Sequence, residues 1–283
     1  MKLCKSVCIA SVVAATTIPL YALAVDGVIL IDQNRALAGN VTPGDAAGFP
    51  VTITQPGSYR LSGNLTVPNQ NTTAILITAS HVTIDLNGFA IIGPTDCSGN
   101  LNPCAAAGTG RGIASPGTPF LFGGNVPVFN VTIRNGTVQG MGDLGIFLQG
   151  DSNLIEHTHV RSNGNGGILI ESSPDLGTSI VQNNTLQRNG RSADNPRSGI
   201  EVLRGAVRNN VVDASGLSGI SVSVGSVSYN VSTRNAFGGI NLGNGASYIG
   251  NVLRDNAPAN VLGAGVNQGQ NLCGLAVCPG AQF

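Results

Sequence analysis

The residues of this chain best suited to chemistry are two carboxylates and an arginine, Glu171, Glu201 and Arg204. Glu171 and Glu201 lie in equivalent segments of consecutive repeats, two positions out of register, which on neighbouring strands separates their Cβ atoms by roughly 8 Å. Carboxyl groups about 5–9.5 Å apart serve glycoside hydrolysis as acid and base or nucleophile. Arg204 follows closely, and its guanidinium suits a uronate carboxylate. We predict catalytic roles for these three residues, with a solvated strand face as the alternative.

Three further residues extend this candidate site as substrate-binding groups. Phe147 falls in the outward column of the same segment, and Asp151 and Asp175 occupy the adjoining turns. The two aspartates could join a Ca²⁺ site, because calcium takes several oxygen ligands. We assign no cofactor firmly, and calcium is the one that we consider. His157 and His159 lie on a different segment, and we assign no metal site to them.

A short repeat must position all of these side chains. From Gly199 onward a Gly-Ile phrase returns every 20 residues, and the interval from Gly145 to Gly167 is 22. Apolar and polar residues alternate within each copy over three to five residues, which indicates β-strand. The copies begin at Ala74, Gly112, Gly145, Gly167, Gly199, Gly219, Gly239 and Ala259. The period predicts about eight stacked coils, each of three short strands, with a rise of roughly 4.8 Å.

A second phrase, half a period away, places one residue of each copy at a turn. The aligned column reads Asn87, Gly136, Thr158, Asn184, Asn210, Asn230 and Asn251. Asn and Gly tolerate left-handed backbone angles, so we predict a left-handed residue at this column, with Thr158 as the exception. The asparagine side chains are also predicted to bond from coil to coil.

The phrases QPGSYRLSGNLTV and HVTIDLNGFAIIG, followed by these repeats, resemble the pectin-lyase-like family over about residues 50–265. More narrowly, the chain is similar to exported bacterial β-helix repeat proteins that have no assigned activity. The resemblance implies an all-β, single-stranded, right-handed parallel β-helix. The family includes polysaccharide lyases, hydrolases, epimerases and adhesins, so the fold does not select one activity.

The enzyme motifs of that family are missing from this chain. It has no Asp-Asp pair, no His-Gly dipeptide and no lysine after residue 5, so no catalytic residue carries over by resemblance. We expect a protein that binds or processes an extracellular polysaccharide, with uronate-containing polymers among the candidates. The alternative is a non-catalytic envelope or surface protein that uses the β-helix as a rigid display scaffold.

The chain divides into four parts. Residues 1–24 are predicted to be a secretory signal peptide, because two lysines precede an apolar run that ends in the small-x-small sequence Ala22-Leu23-Ala24. Residues 25–73 are predicted as an N-terminal cap and first incomplete coil, 74–265 as the repeats, and 266–283 as a C-terminal cap. This division predicts a secreted or periplasmic protein with no membrane span once the signal is removed.

Composition limits the partners further. Without its two lysines, the chain has twelve arginines against fourteen acidic residues, which gives no basic footprint for nucleic acid. Four cysteines remain after residue 24, and their locality favours the disulfides Cys97–Cys104 and Cys273–Cys278 in an oxidising compartment. The sequence gives no indication of the oligomeric state.

Overall fold

The computed structural model describes residues 27–97, 104, 108–116, 127–172, 177–191 and 196–279. The predicted signal peptide at 1–24 and the predicted ligand Asp175 lie outside these residues. Among the described residues, short strands dominate and one helix, of six residues, is present.

The elements in chain order are β1 (Val28–Ile31), α1 (Gln33–Ala38), β2 (Val51–Ile53), β3 (Gly57–Leu61), β4 (Leu65–Thr66), β5 (Ile75–Ile77), β6 (Val82–Asp85), β7 (Ala90–Ile92), β8 (Ile113–Ala114), β9 (Thr132–Gln139), β10 (Leu144–Gln149), β11 (Leu154–Arg161), β12 (Gly166–Glu171), β13 (Ser179–Gln182), β14 (Thr185–Gln187), β15 (Ile200–Arg208), β16 (Val211–Asp213), β17 (Ser218–Ser228), β18 (Val231–Thr233), β19 (Gly238–Ile249), β20 (Val252–Arg254), β21 (Ala259–Gly263), β22 (Val266–Asn267), β23 (Leu272–Cys273) and β24 (Ala276–Val277).

The strands stack into three parallel sheets that close a right-handed β-helix of about nine turns, which confirms the predicted all-β solenoid. The first sheet contains β2, β5, β8, β10, β12, β21 and the leading halves of β15, β17 and β19. The second contains β1, β3, β6, β13, β22 and the trailing halves of β15, β17 and β19, together with the leading halves of β9 and β11. The third contains β4, β7, β14, β16, β18, β20, β23 and the trailing halves of β9 and β11.

Identical or similar aliphatic side chains stack along the interior. Ile146, Ile168, Ile200, Ile220 and Ile240 pair coil to coil and are fully buried. Each such side chain contributes about 1.5–3 kcal/mol of transfer free energy when it leaves water. Because strand residues alternate sides, the same register that stacks these residues inside also stacks their neighbours outside.

Buried asparagines connect the coils at the corner between the second and third sheets. Asn184 Nδ2 donates to Asn210 Oδ1 at 3.0 Å, Asn210 donates to Asn230, and Asn230 donates to Asn251, each at 3.0 Å. Asn251 continues the ladder to Asn271 at 2.9 Å. Backbone N–H groups also donate to these amide oxygens, so buried polar groups find partners. The predicted bonding between coils is confirmed.

The predicted left-handed position is wrong by one residue in most coils. The φ angles are +56° at Asn183, Asn209 and Tyr229 and +67° at Gly250, directly before the ladder asparagines. In the predicted column only Asn87, at +52°, has a positive φ. The ladder asparagine must turn its side chain inward to bond the next coil, so the chain reversal falls on the residue before it.

Both ends of the stack are capped. At the N-terminal end α1 places Ala36 in the core, and the Asp32 side chain accepts a hydrogen bond from Arg35 N at 2.9 Å. Strands β2, β3 and β4 already pair with β5, β6 and β7, so a complete coil precedes the first clear repeat. The boundaries of the caps stay a prediction. Within the described part of the chain, no helix has both the length and the hydrophobicity needed to cross a bilayer.

The two predicted disulfides are confirmed. Cys97 bonds to Cys104, and Cys273 bonds to Cys278. The second closes the C-terminal hairpin, in which β23 and β24 pair antiparallel instead of parallel. The hairpin occupies an edge that would otherwise be free to pair with another chain.

Candidate functional site

A groove with a volume of about 610 Å³ runs along the corner between the third and first sheets. Its walls come from the ends of β11, β14, β16 and β18 and from the turns that follow them. The charged residues that line it are Arg161, Arg188, Arg191, Asp213 and Arg234. We call this concavity the arginine groove.

The coil register brings these side chains together. Arg161 pairs with Gln187, and Gln187 pairs with Asp213 on the next coil. Arg188 and Arg234 each follow the last residue of a third-sheet strand and have a φ of +53°. Since they are two coils apart, their backbones are separated by about 9.5 Å along the axis. The left-handed corner therefore aims one arginine at the groove from each of these coils.

Small residues keep the groove wall close to the corner. A Cβ atom on Gly216 would overlap the carbonyl oxygen of Gly190 and lie 3.0 Å from Arg191 Cα, so this approach requires glycine. The carbonyl oxygen of Arg191 also accepts a hydrogen bond from Cys104 N at 2.9 Å. The Cys97–Cys104 disulfide is thus joined to the backbone that carries Arg191.

Asp213 and Arg234 form an ion pair within the groove. Arg234 donates from Nε to Oδ1 at 2.8 Å and from Nη2 to Oδ2 at 2.6 Å, and Thr233 Oγ1 donates to Oδ1 at 2.8 Å. Burial by itself raises the pKa of Asp213, but the hydrogen bonds from Arg234 and Thr233 and the charges of Arg234 and Arg188 outweigh it. The pKa of Asp213 therefore lies below its ordinary value, and the carboxylate is ionised at neutral pH.

The lining residues that the structure describes carry a formal charge of +3, although the charges of the whole chain sum to zero. Arg161 uses Nε to bond Gln139 Oε1 at 2.8 Å, and a guanidinium has four further N–H groups. Guanidinium groups bind carboxylate, sulfate and phosphate in bidentate geometry. The arrangement is suited to holding an anion.

Glu171 and Glu201 lie on the outer side of the first sheet, Arg204 lies between the leading and trailing halves of β15, and none of the three lines the arginine groove. Glu201 pairs with Leu169 in the register, so Glu171 is offset from it by two residues as predicted. Glu201 Oε1 is 3.6 Å from Arg197 Nη1. The carbonyl oxygen of Arg204 accepts a hydrogen bond from Ser172 Oγ at 3.3 Å. The offset is confirmed, and the catalytic roles stay a prediction.

The predicted substrate-binding residues are less accessible than the sequence implies. Phe147 points away from the main core, but its side chain is only 3% exposed and the Arg111 guanidinium lies 4.2 Å from its ring centre. It packs in a second cluster with Leu144 and Leu169. Asp151 is fully buried. Their burial was not predicted, because alternation predicts the side of a strand but not what covers it, and the substrate-binding roles of both residues stay a prediction.

The structure does not decide the calcium prediction. Among the described residues, no three carboxylate, histidine or cysteine side chains come together in a group that could hold a metal ion. Asp175, the second predicted ligand, lies outside those residues. A calcium site at Asp151 and Asp175 stays a prediction.

The sequence contains a signal for the arginine groove that the repeat analysis passed over. The ends of the half-period phrases read VRSNG, LQRNG, VSTRNA and VLRDNA. An arginine stands at or beside the last strand residue in each of the four. As turn phrases, these segments indicate only the backbone geometry. When the coils stack, however, their arginines come together along one corner of the solenoid.

Comparison with solved structures finds similarity to bacteriophage tailspikes. The Dettilon tailspike protein is 16% identical, with a TM-score of 0.42 over 73% of this chain and 40% of its own. Tailspike protein 2 of Escherichia coli O157:H7 bacteriophage CAB120 is 16% identical, with a TM-score of 0.44 over 72% of this chain and 32% of its own. With TM-scores below 0.5, neither bears on what this chain does. The chain spans about two fifths or less of the length of these structures.

No curated protein sequence matches this chain at a significant level. A family model does match: the model described as "right handed beta helix region" covers residues 121–271, more than half of the 283 residues. These residues include every strand that lines the arginine groove. By this match and by its coil register, the chain belongs to the family of right-handed β-helix proteins.

Proposed function

We propose that this protein binds an acidic polysaccharide outside the cytoplasm, with the arginine groove as its binding site. The observation that carries the proposal is the concentration of four arginines on one groove of a chain without net charge. A carboxylate-bearing glycan such as a polyuronate is the ligand class that fits best. Its charges repeat along a linear polymer, as the arginines repeat along the coils.

The geometry supports a linear ligand. The groove follows the solenoid axis through four consecutive coils, from Arg161 to Arg234. Arginines on successive coils can contact successive carboxylates of one polymer, so that several weak charge-assisted contacts act together. Because the groove is open to water, added salt is expected to weaken binding.

Export is part of this proposal. The predicted signal peptide would bring the protein to the compartment in which an extracellular polysaccharide occurs. The two disulfides are typical of proteins that fold in an oxidising compartment.

The test is a comparison of two arginine variants that share their local bonding. Arg161 Nε donates to Gln139 at 2.8 Å, and Arg208 Nε donates to Gln182 at 2.9 Å, but only Arg161 lines the groove. We expect Arg161→Gln to weaken binding of polygalacturonate about tenfold, the equivalent of 1.4 kcal/mol, and Arg208→Gln to change it less than twofold. Isothermal titration calorimetry at low salt measures both.

Two outcomes of that titration contradict the proposal. Equal losses for Arg161→Gln and Arg208→Gln would assign the binding to general charge instead of the groove. If the unmodified protein binds no acidic glycan, the non-catalytic display scaffold becomes the better account of this fold.

Processing of the glycan is a second candidate function. It rests on the two-residue offset of Glu171 and Glu201 on neighbouring strands, which brings two carboxylates onto one outer face. In that reading Glu171 and Glu201 act as acid and base while Arg204 holds a uronate carboxylate. A screen for depolymerised product, with and without Ca²⁺, separates this function from binding alone.

A further inference from the structure

The outer face of the third sheet carries an apolar stripe beside the arginine groove. Val211, Val231, Val252 and Leu272 pair in register on four consecutive coils. Three of them are well exposed, Val211 at 42%, Val231 at 37% and Leu272 at 43%. The same column further up the solenoid holds Thr137, His159 and Thr185. The stripe therefore begins where the column changes from polar to apolar.

Tyr229 borders this stripe in an unfavourable backbone conformation. Its φ is +56°, in the left-handed region where a bulky residue is an outlier. Most of the equivalent corner residues, Asn135, Asn183, Asn209 and Gly250, tolerate that region well, and His157 is a second bulky residue at this corner. Strained residues of this kind persist where the surroundings or the function require them.

The ring of Tyr229 lies against a glycine, although the residue is largely exposed. A Cβ atom on Gly250 would lie 2.5 Å from Tyr229 Cε1 and 2.6 Å from Cδ1, so glycine is what allows the ring to lie against the next coil. Tyr229 is 57% exposed. An exposed aromatic ring held against the backbone offers a flat apolar platform with a polar edge.

The stripe and the arginine groove share two coils. On β16 the outward residues are Val211 and Asp213, and on β18 they are Val231 and Thr233, each pair about 7 Å apart along the strand. The strand β18 connects Tyr229 at one corner to Arg234 at the other, a span of at most about 17 Å for five residues. A ligand seated in the groove thus has the apolar stripe directly beside it.

We propose that Tyr229 and Val231 form a second subsite that holds the apolar faces of sugar rings while the arginines hold the carboxylates. This subsite rests on the proposed function and adds selectivity to it. One face of a pyranose ring presents mainly C–H groups, which bury favourably on an aromatic ring or a valine. The protein then prefers acidic glycans to polyanions of equal charge that lack rings.

The test uses Tyr229→Asn, because asparagine is the residue that the same corner carries at Asn183 and Asn209. We expect Tyr229→Asn to weaken polygalacturonate binding about fivefold or more, to leave binding of inorganic polyphosphate within twofold, and not to lower the melting temperature. Val231→Thr, which keeps the branched shape and the strand preference, provides a second variant with an effect in the same direction. Leu203→Thr, on the exposed face of the first sheet, is the matched control and should leave both affinities unchanged.

Failures of the subsite and of the groove are distinguishable. If Arg161→Gln weakens both polymers but Tyr229→Asn and Val231→Thr weaken neither, the subsite is wrong and the groove stands. If the unmodified protein does not bind polygalacturonate, both proposals fail.

Two further outcomes also overturn the subsite. In one, Tyr229→Asn lowers the melting temperature and weakens both polymers equally, which identifies Tyr229 as structural. In the other, sedimentation finds a dimer that Val231→Thr dissociates without a change in glycan affinity. The stripe then is a contact between two copies of this chain.

Discussion

The outer faces of the first and third sheets are made by the same repeat, yet they differ in accessibility and charge. On the first sheet the column through Ala114, Phe147 and Leu169 is apolar and buried in its own small cluster. On the third sheet the column through Arg161 and Asp213 is charged and opens into a groove. The register produces columns on every face, and the side chains in a column decide whether it adds to the core or stays open to a ligand.

The comparison also separates two kinds of arginine. Arg111 covers the ring of Phe147 and its Nε is 2.6 Å from Asp143 Oδ2, so its charge is used within the fold. At the corner that forms the groove, Arg234 is also paired, with Asp213, but its side chain is 68% exposed against 29% for Arg111, and the neighbouring coils carry small residues such as Ala214 and Gly216. An arginine at such a corner can reach a ligand, whereas one above an aromatic ring stabilises the packing beneath it.

The largest expected effect tests whether the first-sheet cluster is structural. Phe147→Ala should lower the free energy of unfolding by about 3 kcal/mol, because it empties a buried site. Leu203→Ala, on the same sheet but 45% exposed, should cost roughly 0.5 kcal/mol or less. Urea titration followed by circular dichroism measures both. A Phe147→Ala protein of normal stability that loses glycan binding would support the prediction that Phe147 contacts substrate.

A smaller effect is expected at the ion pair in the arginine groove. Asp213→Asn removes the one negative charge among the described charged lining residues, so polygalacturonate should bind about threefold more tightly, the equivalent of roughly 0.7 kcal/mol. The variant should lose up to about 1 kcal/mol of stability at neutral pH, since Arg234 is 68% exposed and water screens the pair. Weaker binding by Asp213→Asn would indicate that Asp213 holds Arg234 in its binding position.

The pH dependence of the stability of the same variant tests the direction in which the ion pair shifts the pKa of Asp213. The folded pKa of Asp213 lies below the ordinary value of 3.8, so the pair stabilises the protein above that pH. The stabilisation is lost as the pH falls through the folded pKa. The stability difference between the unmodified protein and Asp213→Asn should therefore shrink below about pH 4, as measured by urea titration at several pH values.

The smallest expected effect concerns the predicted catalytic face. Glu171→Gln combined with Glu201→Gln should leave polygalacturonate affinity within about twofold, because neither residue lines the arginine groove. The same samples are assayed for new reducing ends or unsaturated products. Depolymerisation by the unmodified protein that the double variant lacks would make the first-sheet face an active site and this protein an enzyme.

Sequence reasoning succeeded where the repeat itself was informative. The interval of 20–22 residues and the alternation within it predicted the stacked coils, the inward isoleucines and the offset of Glu171 from Glu201. The local pairing of Cys97 with Cys104 and of Cys273 with Cys278 followed from their short separations. The left-handed turn was placed one residue late because Asn is favoured both in left-handed turns and in buried ladders.

What the sequence by itself determined is therefore the solenoid: its period, its core and its disulfides follow from local patterns repeated along the chain. What only the tertiary structure decided is accessibility. Phe147 and Arg161 both point outward by alternation, but one is buried under Arg111 and the other lines a groove. Exposure depends on residues from other coils and turns that come close only when the coils stack, and no pattern within a single repeat contains that information.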